Sequence, residues 1–558
     1  MATASPPPPS MVVKNRFLGF LIWQSVSSTL IFFFFRFFIH QVCSSAITAP
    51  TSGSRPRLSL PFLPSFSTLF TFLTFNLAQL LFSASLSFVS SPQFHLPAYP
   101  LQLALGFFRL LLVSGGSDES RSADFRLRAK VSLRFVLFAV AAAVSGLVAV
   151  ASVCWVNSLA GLDNGVGLIG RVGFRGFLMG LLYGLHCVYK RRWVLEFPII
   201  QRPPFFSFKM GLPPATTRAL KLSSVVYLLS TALAVLLPDQ FTGQVSVGKF
   251  ICEQLVFYLG SFAVFLSWEL SHQLHQVLHT KRFMFAPPKG SAAAETNPSE
   301  PLLAALEESN PGSLLQYLAY LDLCMVSENN VDIWRRAAFF EESGETYKRV
   351  IAVGLRPLQH LASKLSEALE CSIDKNSQLS NQLLSPTDVQ PDPNCSELLN
   401  NFQLYTWCAR IVASLTARSH QEDRYGVAQL SGSNAAVTST LISCLLAIES
   451  FMGRNINVQS PNNLMGPGGI KWATSSMRRP DIGTRKKRGG LVHSKAYAIA
   501  DVLRTSIYHI VSAFHNEMVA SAKAGFLDKD WIITSKPSFG SRELLLQKLR
   551  LFLDFRAT

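Results

Sequence analysis

Long apolar stretches separated by short basic segments fill the first half of the chain, while the second half shows apolar residues at helical spacing among charged ones. A bilayer core about 30 Å thick needs roughly 20 apolar helical residues to cross it. Stretches of this length predict six transmembrane helices, at about residues 17–39, 62–90, 131–156, 168–189, 219–237 and 250–270. Residues 101–113 are too short to span, and we expect them to be re-entrant or interfacial.

The basic residues predict how these helices cross the membrane. Lys and Arg are concentrated before the first stretch and after the second, fourth and sixth, and are scarcer in the other loops. Basic loops stay on the cytosolic side, so both termini are predicted to be cytosolic. Arg171 and Arg175, at the start of the fourth stretch, count against this arrangement.

The N-terminus also allows two targeting interpretations. Residues 1–16 are predicted to be disordered, and with the apolar stretch behind them they resemble a signal peptide. A Ser-rich segment without acidic residues is also compatible with a plastid transit peptide. The length of the apolar stretch favours a retained first transmembrane helix.

The fourth stretch carries glycines four residues apart, at Gly176, Gly180 and Gly184. Such a ridge lets a neighbouring helix backbone approach closely. Packing within the bundle is the simpler interpretation, and dimerisation is the alternative.

Beyond the sixth stretch the pattern becomes that of a soluble helical protein. Residues 286–312 are rich in Pro, Gly and Ala and are predicted to form a linker. Residues 313–558 predict amphipathic helices with little strand-like alternation, interrupted by a disordered segment at 460–490. The predicted fold class is therefore all-α, a polytopic membrane protein with six transmembrane helices followed by a soluble, cytosol-facing helical domain.

The net charge of +17 would suggest nucleic acid as a partner if the chain were soluble. In a membrane protein, basic cytosolic loops beside anionic headgroups explain it, so no direct nucleic-acid binding is expected. The nine cysteines form no CxxC pair, which argues against a disulfide framework or zinc site.

Two further features keep alternatives open. The cluster Arg485, Lys486, Lys487 and Arg488 has the composition of a nuclear localisation signal or of a site for nucleic acid or anionic lipid, but also of a solvated loop. The amphipathic helix predicted at 542–555 can dock on its own domain, on a partner or on a membrane surface.

Candidate chemistry is sparse. His272, His275 and His279 lie on one helix face, as in the His clusters of membrane oxygenases, but a diiron site needs more ligands and no second cluster exists. They are a weak metal candidate, and we predict no cofactor and no enzymatic activity. Charged residues within the stretches lie near helix ends, and no inverted repeat suggests a transporter.

Three segments resemble a known family. Residues 313–327 (SLLQYLAYLDLCMVS) are similar to "LIKYLALQDL", and residues 412–429 (VASLTARSHQEDRYGVAQ) to "VASL…S…EDRFGVVQ", in the pore-membrane nucleoporins of the nuclear division cycle (Ndc) type. Residues 503–514 resemble the terminal helix of that family. The most specific match carries Glu422, Asp423, Arg424, Gly426 and Gln429. The chain resembles a divergent, plant-like member.

This resemblance implies a structural function. Members anchor the nuclear pore complex in the nuclear envelope, support pore assembly and hence the transport of proteins and mRNA. Their implied partners are inner-ring scaffold nucleoporins, the ALADIN-type WD-repeat nucleoporin and other membrane nucleoporins, besides the lipid bilayer. A multi-span transporter or channel of the endoplasmic reticulum or plastid envelope is the alternative function. For Glu422, Asp423 and Arg424 we expect a structural ion-pair network.

Overall fold

The chain forms two compact units in the computed structural model, Pro8–Lys281 and Arg282–Thr558, here called the N-terminal and C-terminal units. The described residues are 9–47, 66–95, 97, 119–155, 165–235, 247–288, 290–379, 398–457, 489–533 and 535–555. The predicted segments 1–8, 101–113 and 460–488 lie outside them. Each unit is helical, and the described residues contain no strand beyond one isolated bridge between Ser91 and Val194. The predicted all-α fold class is confirmed.

The described residues of the N-terminal unit form six helices. They are α1 (Pro9–Ile47), α2 (Phe66–Val89), α3 (Glu119–Cys154), α4 (Gly165–Tyr189), α5 (Pro204–Val235) and α6 (Val247–Thr280). The pair α3 and α4 pack closely, and α6 contacts α1, α5, α3 and α2. Helix α6 is therefore the central element of this unit.

Aromatic side chains fill the centre of the N-terminal unit. The rings of Phe82 and Trp268 stack with centroids 4.7 Å apart, and Tyr183 lies 4.9 Å from Trp268. The outer surface is also apolar: Leu30, Leu77 and other large side chains are more than half exposed. A water-soluble bundle would bury such side chains, whereas a bundle surrounded by lipid exposes them.

Six helices in the described residues are long and apolar enough to cross a membrane, judged by length and composition. Five overlap predicted transmembrane stretches: Met11–Ile39, Phe66–Val89, Arg126–Cys154, Val172–Tyr189 and Gln254–Thr280. The sixth, Ser433–Gly453, belongs to the C-terminal unit, where most of its residues are buried. The stretch predicted at 219–237 forms the second half of α5, up to Val235.

The C-terminal unit consists of twelve further α-helices in the described residues. They are α7 (Ala292–Thr296), α8 (Glu300–Glu308), α9 (Leu314–Glu328), α10 (Ile333–Ala337), α11 (Glu345–Leu379), α12 (Phe402–Glu422), α13 (Val427–Leu430), α14 (Ser433–Asn457), α15 (Gly489–Ala513), α16 (His515–Ala524), α17 (Leu527–Trp531) and α18 (Arg542–Asp554). Helix α14 packs against α11, α15, α17 and α18, and α12 packs against α9, α11 and α15.

The core of this unit follows the helical spacing of its apolar residues. In α11, Leu358, Leu361 and Leu365 are fully buried, at intervals of three and four residues that place side chains on one helix face. Helix α18 buries Leu545, Leu549 and Leu553 against the unit, so it docks on its own domain through that face.

The predicted linker at 286–312 differs in the structure. It contains α7 and α8, and α8 buries Leu302, Leu303 and Leu306. The helix is also fastened by Arg349 of α11, whose guanidinium donates to Glu300 at 3.0 Å and to Glu307 at 2.8 Å. Proline and alanine suggested an open linker, but Leu-Leu at 302–303 followed by Leu306 forms one apolar helix face that the unit covers.

Candidate functional site

A buried carboxylate organises one end of the N-terminal unit. The Glu269 side chain on α6 is 1% exposed, and Arg192, in the loop after α4, pairs with both of its oxygens, with Nη2 2.8 Å from Oε2. The Tyr183 hydroxyl donates to Oε1 at 3.0 Å, and Arg218 of α5 lies 3.7 Å from Oε2. A buried carboxylate is tolerated only when it is paired and hydrogen-bonded. This cluster therefore fixes α4, α5 and the loop between them to α6.

The same loop is held by polar residues of α6. His272 Nε2 lies 2.7 Å from the carbonyl oxygen of Arg192. One turn later, Gln276 Nε2 donates to the carbonyl oxygen of Val194 at 3.0 Å and its Oε1 accepts from the backbone N–H of Glu196 at 3.3 Å. Residues 192–196 are thus pinned to α6 along their backbone.

The other two histidines of the predicted metal candidate have different contacts. The rings of His275 and His279 stack with centroids 4.0 Å apart, and Phe20 of α1 meets both edge-on. His279 Nδ1 is hydrogen-bonded to the carbonyl oxygen of His275 at 3.0 Å. In the described part of the chain, no three His, Cys, Asp or Glu side chains are grouped so as to hold a metal ion. The geometry assigns the triplet to packing and loop attachment.

The C-terminal end of α6 is capped from α1. The Arg16 guanidinium donates to the carbonyl oxygens of Leu278 at 2.9 Å, His279 at 2.8 Å and Lys281 at 2.6 Å. These carbonyls have no partner within the helix, so a cation placed here both satisfies them and complements the helix dipole. Arg16 thereby joins the beginning of the first helix to the end of the last helix of this unit.

The predicted glycine ridge lies against α3. A Cβ atom on Gly176 would come within 2.6 Å of the carbonyl oxygen of Gly146, and one on Gly180 would overlap the carbonyl group of Ala142. A Cβ on Gly184 would lie 3.1 Å from the Cα of Ala139. The ridge is therefore covered within the chain, the arrangement preferred over dimerisation from the sequence.

The chain enters the C-terminal unit through a second buried ion cluster. Asp322 of α9 is fully buried and accepts hydrogen bonds from Arg282 at 2.9 Å, from Arg335 at 2.7 Å and from the backbone N–H of Phe285 at 2.9 Å. Arg282 also donates to Asp332 at 2.6 Å. Arg335 also donates to the carbonyl oxygen of Phe285 at 3.1 Å, so it contacts the segment that enters the unit.

We call Arg282, Phe285, Asp322, Asp332 and Arg335 the exit clamp. Burial alone would lower the pKa of Arg282, but the carboxylates of Asp322 and Asp332 outweigh it and raise that pKa. Arg282 directly follows Lys281, the last residue of the N-terminal unit. The clamp therefore fastens the first residues after Lys281, which precede the predicted linker at 286–312, to the rest of the C-terminal unit.

The family-like segment around Glu422 ends α12. Arg336, 1% exposed, makes a bidentate pair with Glu422, with Nε–Oε2 2.8 Å and Nη2–Oε1 2.7 Å, and Arg418 lies 3.4 Å from Oε1. Arg336 also donates to the carbonyl oxygen of Asn329 at 2.8 Å. Glu422 thus connects α12 with the turn after α9, as expected for an ion-pair residue.

The next residues form a fixed turn. Asp423 Oδ2 accepts from the backbone N–H of Ala428 at 2.8 Å, and Gly426 has a φ of 69°, which residues with a Cβ adopt with difficulty. Gln429 Nε2 lies 3.5 Å from Glu517 of α16. Arg424 is exposed and does not extend the ion-pair network of Glu422 by any contact that the structure shows. Of the three expected ion-pair residues, Glu422 pairs with arginine and Asp423 caps the turn.

Part of this turn faces solvent. Tyr425 is 55% exposed and Leu430 is 85% exposed, beside the exposed Arg424 and Gln429. Their backbone is held by Asp423 and by the buried neighbours Val427 and Ala428. A rigid turn that presents an arginine and a tyrosine exposes two of the residue types that are enriched at interface hot spots.

Two cysteines of the C-terminal unit, Cys324 and Cys408, have buried side chains. Burial raises the pKa of the Cys324 thiol to about 12, and burial raises the pKa of Cys408 well above its ordinary value. A thiol with a raised pKa carries little thiolate and reacts slowly. These two thiols therefore give no support for redox or nucleophilic chemistry.

Sequence reasoning missed several of these contacts. No role was predicted for Arg335 and Arg336, although two adjacent arginines in a short helix beside apolar residues can indicate buried ion pairs. Asp322 lies within the similar segment at 313–327 and Glu269 near the end of the sixth apolar stretch, and neither position indicates a buried carboxylate from sequence alone. The basic cluster Arg485, Lys486, Lys487 and Arg488 lies outside the described residues.

Comparison with protein families gives one match. Residues 358–518 match the family described as "Nucleoporin protein Ndc1-Nup". The matched region runs from α11 into α16 and includes two of the three similar segments, those at 412–429 and 503–514; the segment at 313–327 precedes it. A search of curated proteins found no significant match. The family match confirms the resemblance to pore-membrane nucleoporins of the Ndc type and indicates a nucleoporin role.

Proposed function

Because residues 358–518 match the Ndc1-type nucleoporin family, we propose that the chain is a non-enzymatic membrane anchor that tethers the nuclear pore complex scaffold to the nuclear envelope and supports pore assembly. The observation that carries the proposal is the presence of this nucleoporin region in the same chain as a bundle of long apolar helices. In this proposal both termini lie on the cytosolic or pore side, and nucleocytoplasmic transport of protein and mRNA depends on the anchor indirectly.

The N-terminal unit has the properties of a membrane anchor. Its outer surface is apolar. Removing the unit from lipid would expose that surface to water, at a free-energy cost of about 25 cal/mol per Å² of apolar area. Its helices are joined internally by the Glu269 cluster and by Arg16. A pull on one helix is therefore resisted by the others.

The exit clamp supplies the connection to the soluble part. A pull on the C-terminal unit reaches the chain at Arg282, where Asp322 and Asp332 hold the guanidinium. In this proposal the clamp keeps the first residues after Lys281 folded onto the C-terminal unit under load.

The partners in this proposal are inner-ring scaffold nucleoporins, an ALADIN-type WD-repeat nucleoporin and other membrane nucleoporins. The turn that exposes Arg424, Tyr425 and Leu430 is the surface we assign to one such partner. Its rigid backbone keeps the conformational cost of binding low.

Localisation and proximity labelling test the proposal. A fluorescent fusion of the full chain is expected at a punctate nuclear rim, and labelling from the C-terminus should recover inner-ring nucleoporins. A uniform reticular or plastid-envelope signal would favour the transporter alternative and exclude the anchor.

The partner assignment has its own control. The triple substitution Arg424→Ala, Tyr425→Ala, Leu430→Ala is expected to reduce recovery of at least one nucleoporin while the protein remains at the membrane. The matched control is Tyr497→Ala with Phe526→Ala, two other aromatic residues that are half-exposed. Equal loss from both variants would contradict the assignment of the turn.

A further inference from the structure

The segment after α4 exposes an unusual set of apolar side chains outside the predicted transmembrane stretches. Ile199 is 93% exposed, Ile200 67%, Phe205 71%, Phe206 57% and Met210 61%. We call these five residues, with Arg202 and Lys209 between them, the 199–210 surface. They lie in the loop and in the first two turns of α5, before the stretch predicted to span at 219–237.

The backbone that carries this surface is fixed. His272 and Gln276 of α6 hold residues 192–196, and Gln201 Nε2 lies 3.5 Å from the carbonyl oxygen of Thr280 at the end of α6. Gly211 of α5 is buried against the side chain of Gln273. The apolar side chains therefore face outward from a loop whose backbone is held in place.

The charges on and around the surface are almost all positive. Arg202 and Lys209 are exposed within it, Lys190 and Arg191 precede it and Arg218 follows it. The acidic residues near them are Glu196, which is exposed, and Glu269, which is buried and paired with Arg192. Lys and Arg interleaved with exposed Phe and Ile are the composition of a segment that lies in a lipid headgroup layer.

The surface is also continuous with the lipid-facing side of α5. Exposed Val225, Leu228 and Leu229 follow on the same helix within the predicted transmembrane stretch. We propose that the 199–210 surface inserts its apolar side chains into the cytosolic headgroup layer and binds anionic phospholipid through Arg202 and Lys209. This inference rests on the proposed membrane anchorage of the N-terminal unit.

Photocrosslinking of the full chain tests the inference. Benzoylphenylalanine replaces Phe206 in protein reconstituted in phosphatidylcholine alone or mixed with phosphatidylserine, and the same group replaces the half-exposed Tyr497 of the C-terminal unit as the matched control. We expect lipid adducts at 206 and none above background at 497. Adducts only to protein at position 206, or none, would overturn insertion.

The charge requirement is measured separately. Arg202→Gln with Lys209→Gln should lower the ratio of phosphatidylserine to phosphatidylcholine adducts, on the order of fivefold for each charge removed. Lys523→Gln with Lys529→Gln, in the C-terminal unit, should leave the ratio unchanged. An unchanged ratio in the Arg202 and Lys209 variant would overturn anionic-lipid binding.

Alkaline carbonate extraction separates this inference from the anchor proposal. Release of the full chain from membranes would end the anchor proposal itself. Retention of the chain without lipid adducts at position 206 would leave the anchor intact and overturn only the 199–210 surface.

Discussion

Replacing Asp322 by Ala removes the centre of the exit clamp. The side chain is fully buried and accepts from Arg282, from Arg335 and from the backbone N–H of Phe285. Arg335 is 2% exposed and would remain buried without its partner. Removing one partner of a buried ion pair costs about 3–5 kcal/mol, a large part of the roughly 5–15 kcal/mol that holds a domain folded.

The smaller volume of the Ala side chain alone does not account for the stability that Asp322→Ala is expected to lose. Asp322→Asn keeps the shape but places an amide N–H₂ near guanidinium donors, so it should destabilise the unit nearly as much. Asp332→Asn should cost less, because the only contact shown for its side chain is with the partly exposed Arg282. Glu342→Gln, at an exposed carboxylate of the same unit, is the matched control for loss of one negative charge.

Hydrogen exchange and thermal melting of the full chain measure the effect. We expect Asp322→Ala to speed exchange of the Phe285 amide and to lower the melting temperature of the C-terminal unit by roughly 10 °C, taking a few degrees per kcal/mol for a large domain. Exchange and melting indistinguishable from the Glu342→Gln control would refute the clamp.

Three other outcomes follow from the structure. Gly180→Val should disrupt the packing of α3 and α4, because a Cβ there overlaps the backbone of Ala142. The readout is the stability of the protein in detergent. The control is Gly453→Ala, because a Cβ at that position meets nothing within 4 Å. The hydrogen bond from Arg349 lowers the pKa of Glu307. The pair therefore stabilises the unit above the unfolded-state pKa of about 4.3, and this stabilisation is lost as the pH falls through the lowered value. In acid titrations, Glu307→Gln should lose stability slightly less steeply than the native chain, by less than about 1 kcal/mol because the pair is exposed. Deleting Arg485–Arg488 should abolish nuclear-rim targeting if the cluster is an import signal, and unchanged localisation of the fluorescent fusion would dismiss that role.

The sequence predicted helix positions well where one physical cause dominates. A run of apolar residues long enough to cross a bilayer has few other structural explanations, so five predicted stretches overlap apolar helices of spanning length. The glycine ridge likewise pointed to close helix contact, although spacing alone did not identify α3 as its neighbour. Local patterns identify a contact face, and only the three-dimensional structure identifies what covers it.

The ion clusters were beyond local patterns. Glu269 and Arg192 are 77 residues apart in sequence, and Arg336 and Glu422 are 86 apart. For Glu422 an ion-pair role was predicted, but neither its partner Arg336 nor the pairing of Glu269 with Arg192 could be identified from spacing. Their meaning depends on burial and on a distant partner, neither of which spacing records. The His triplet shows the reverse case, because regular spacing suggested one shared site while the fold gave the rings separate contacts.

Helix α14 shows why hydropathy and burial must be considered together. Ser433–Gly453 is apolar enough to span a bilayer, yet its serine side chains form hydrogen bonds with backbone groups of the same unit. Ser443 Oγ accepts from the N–H of Phe539 at 2.7 Å and donates to its carbonyl oxygen at 2.9 Å, and Ser439 Oγ accepts from the N–H of Ile533 at 2.8 Å. A helix surrounded by lipid would find no such loop backbone, since exposed loops do not occur in the hydrocarbon layer. The same mean hydropathy therefore has two origins in this chain: in the N-terminal unit it leaves large apolar side chains on the outside, and in α14 it builds the centre of a helical domain.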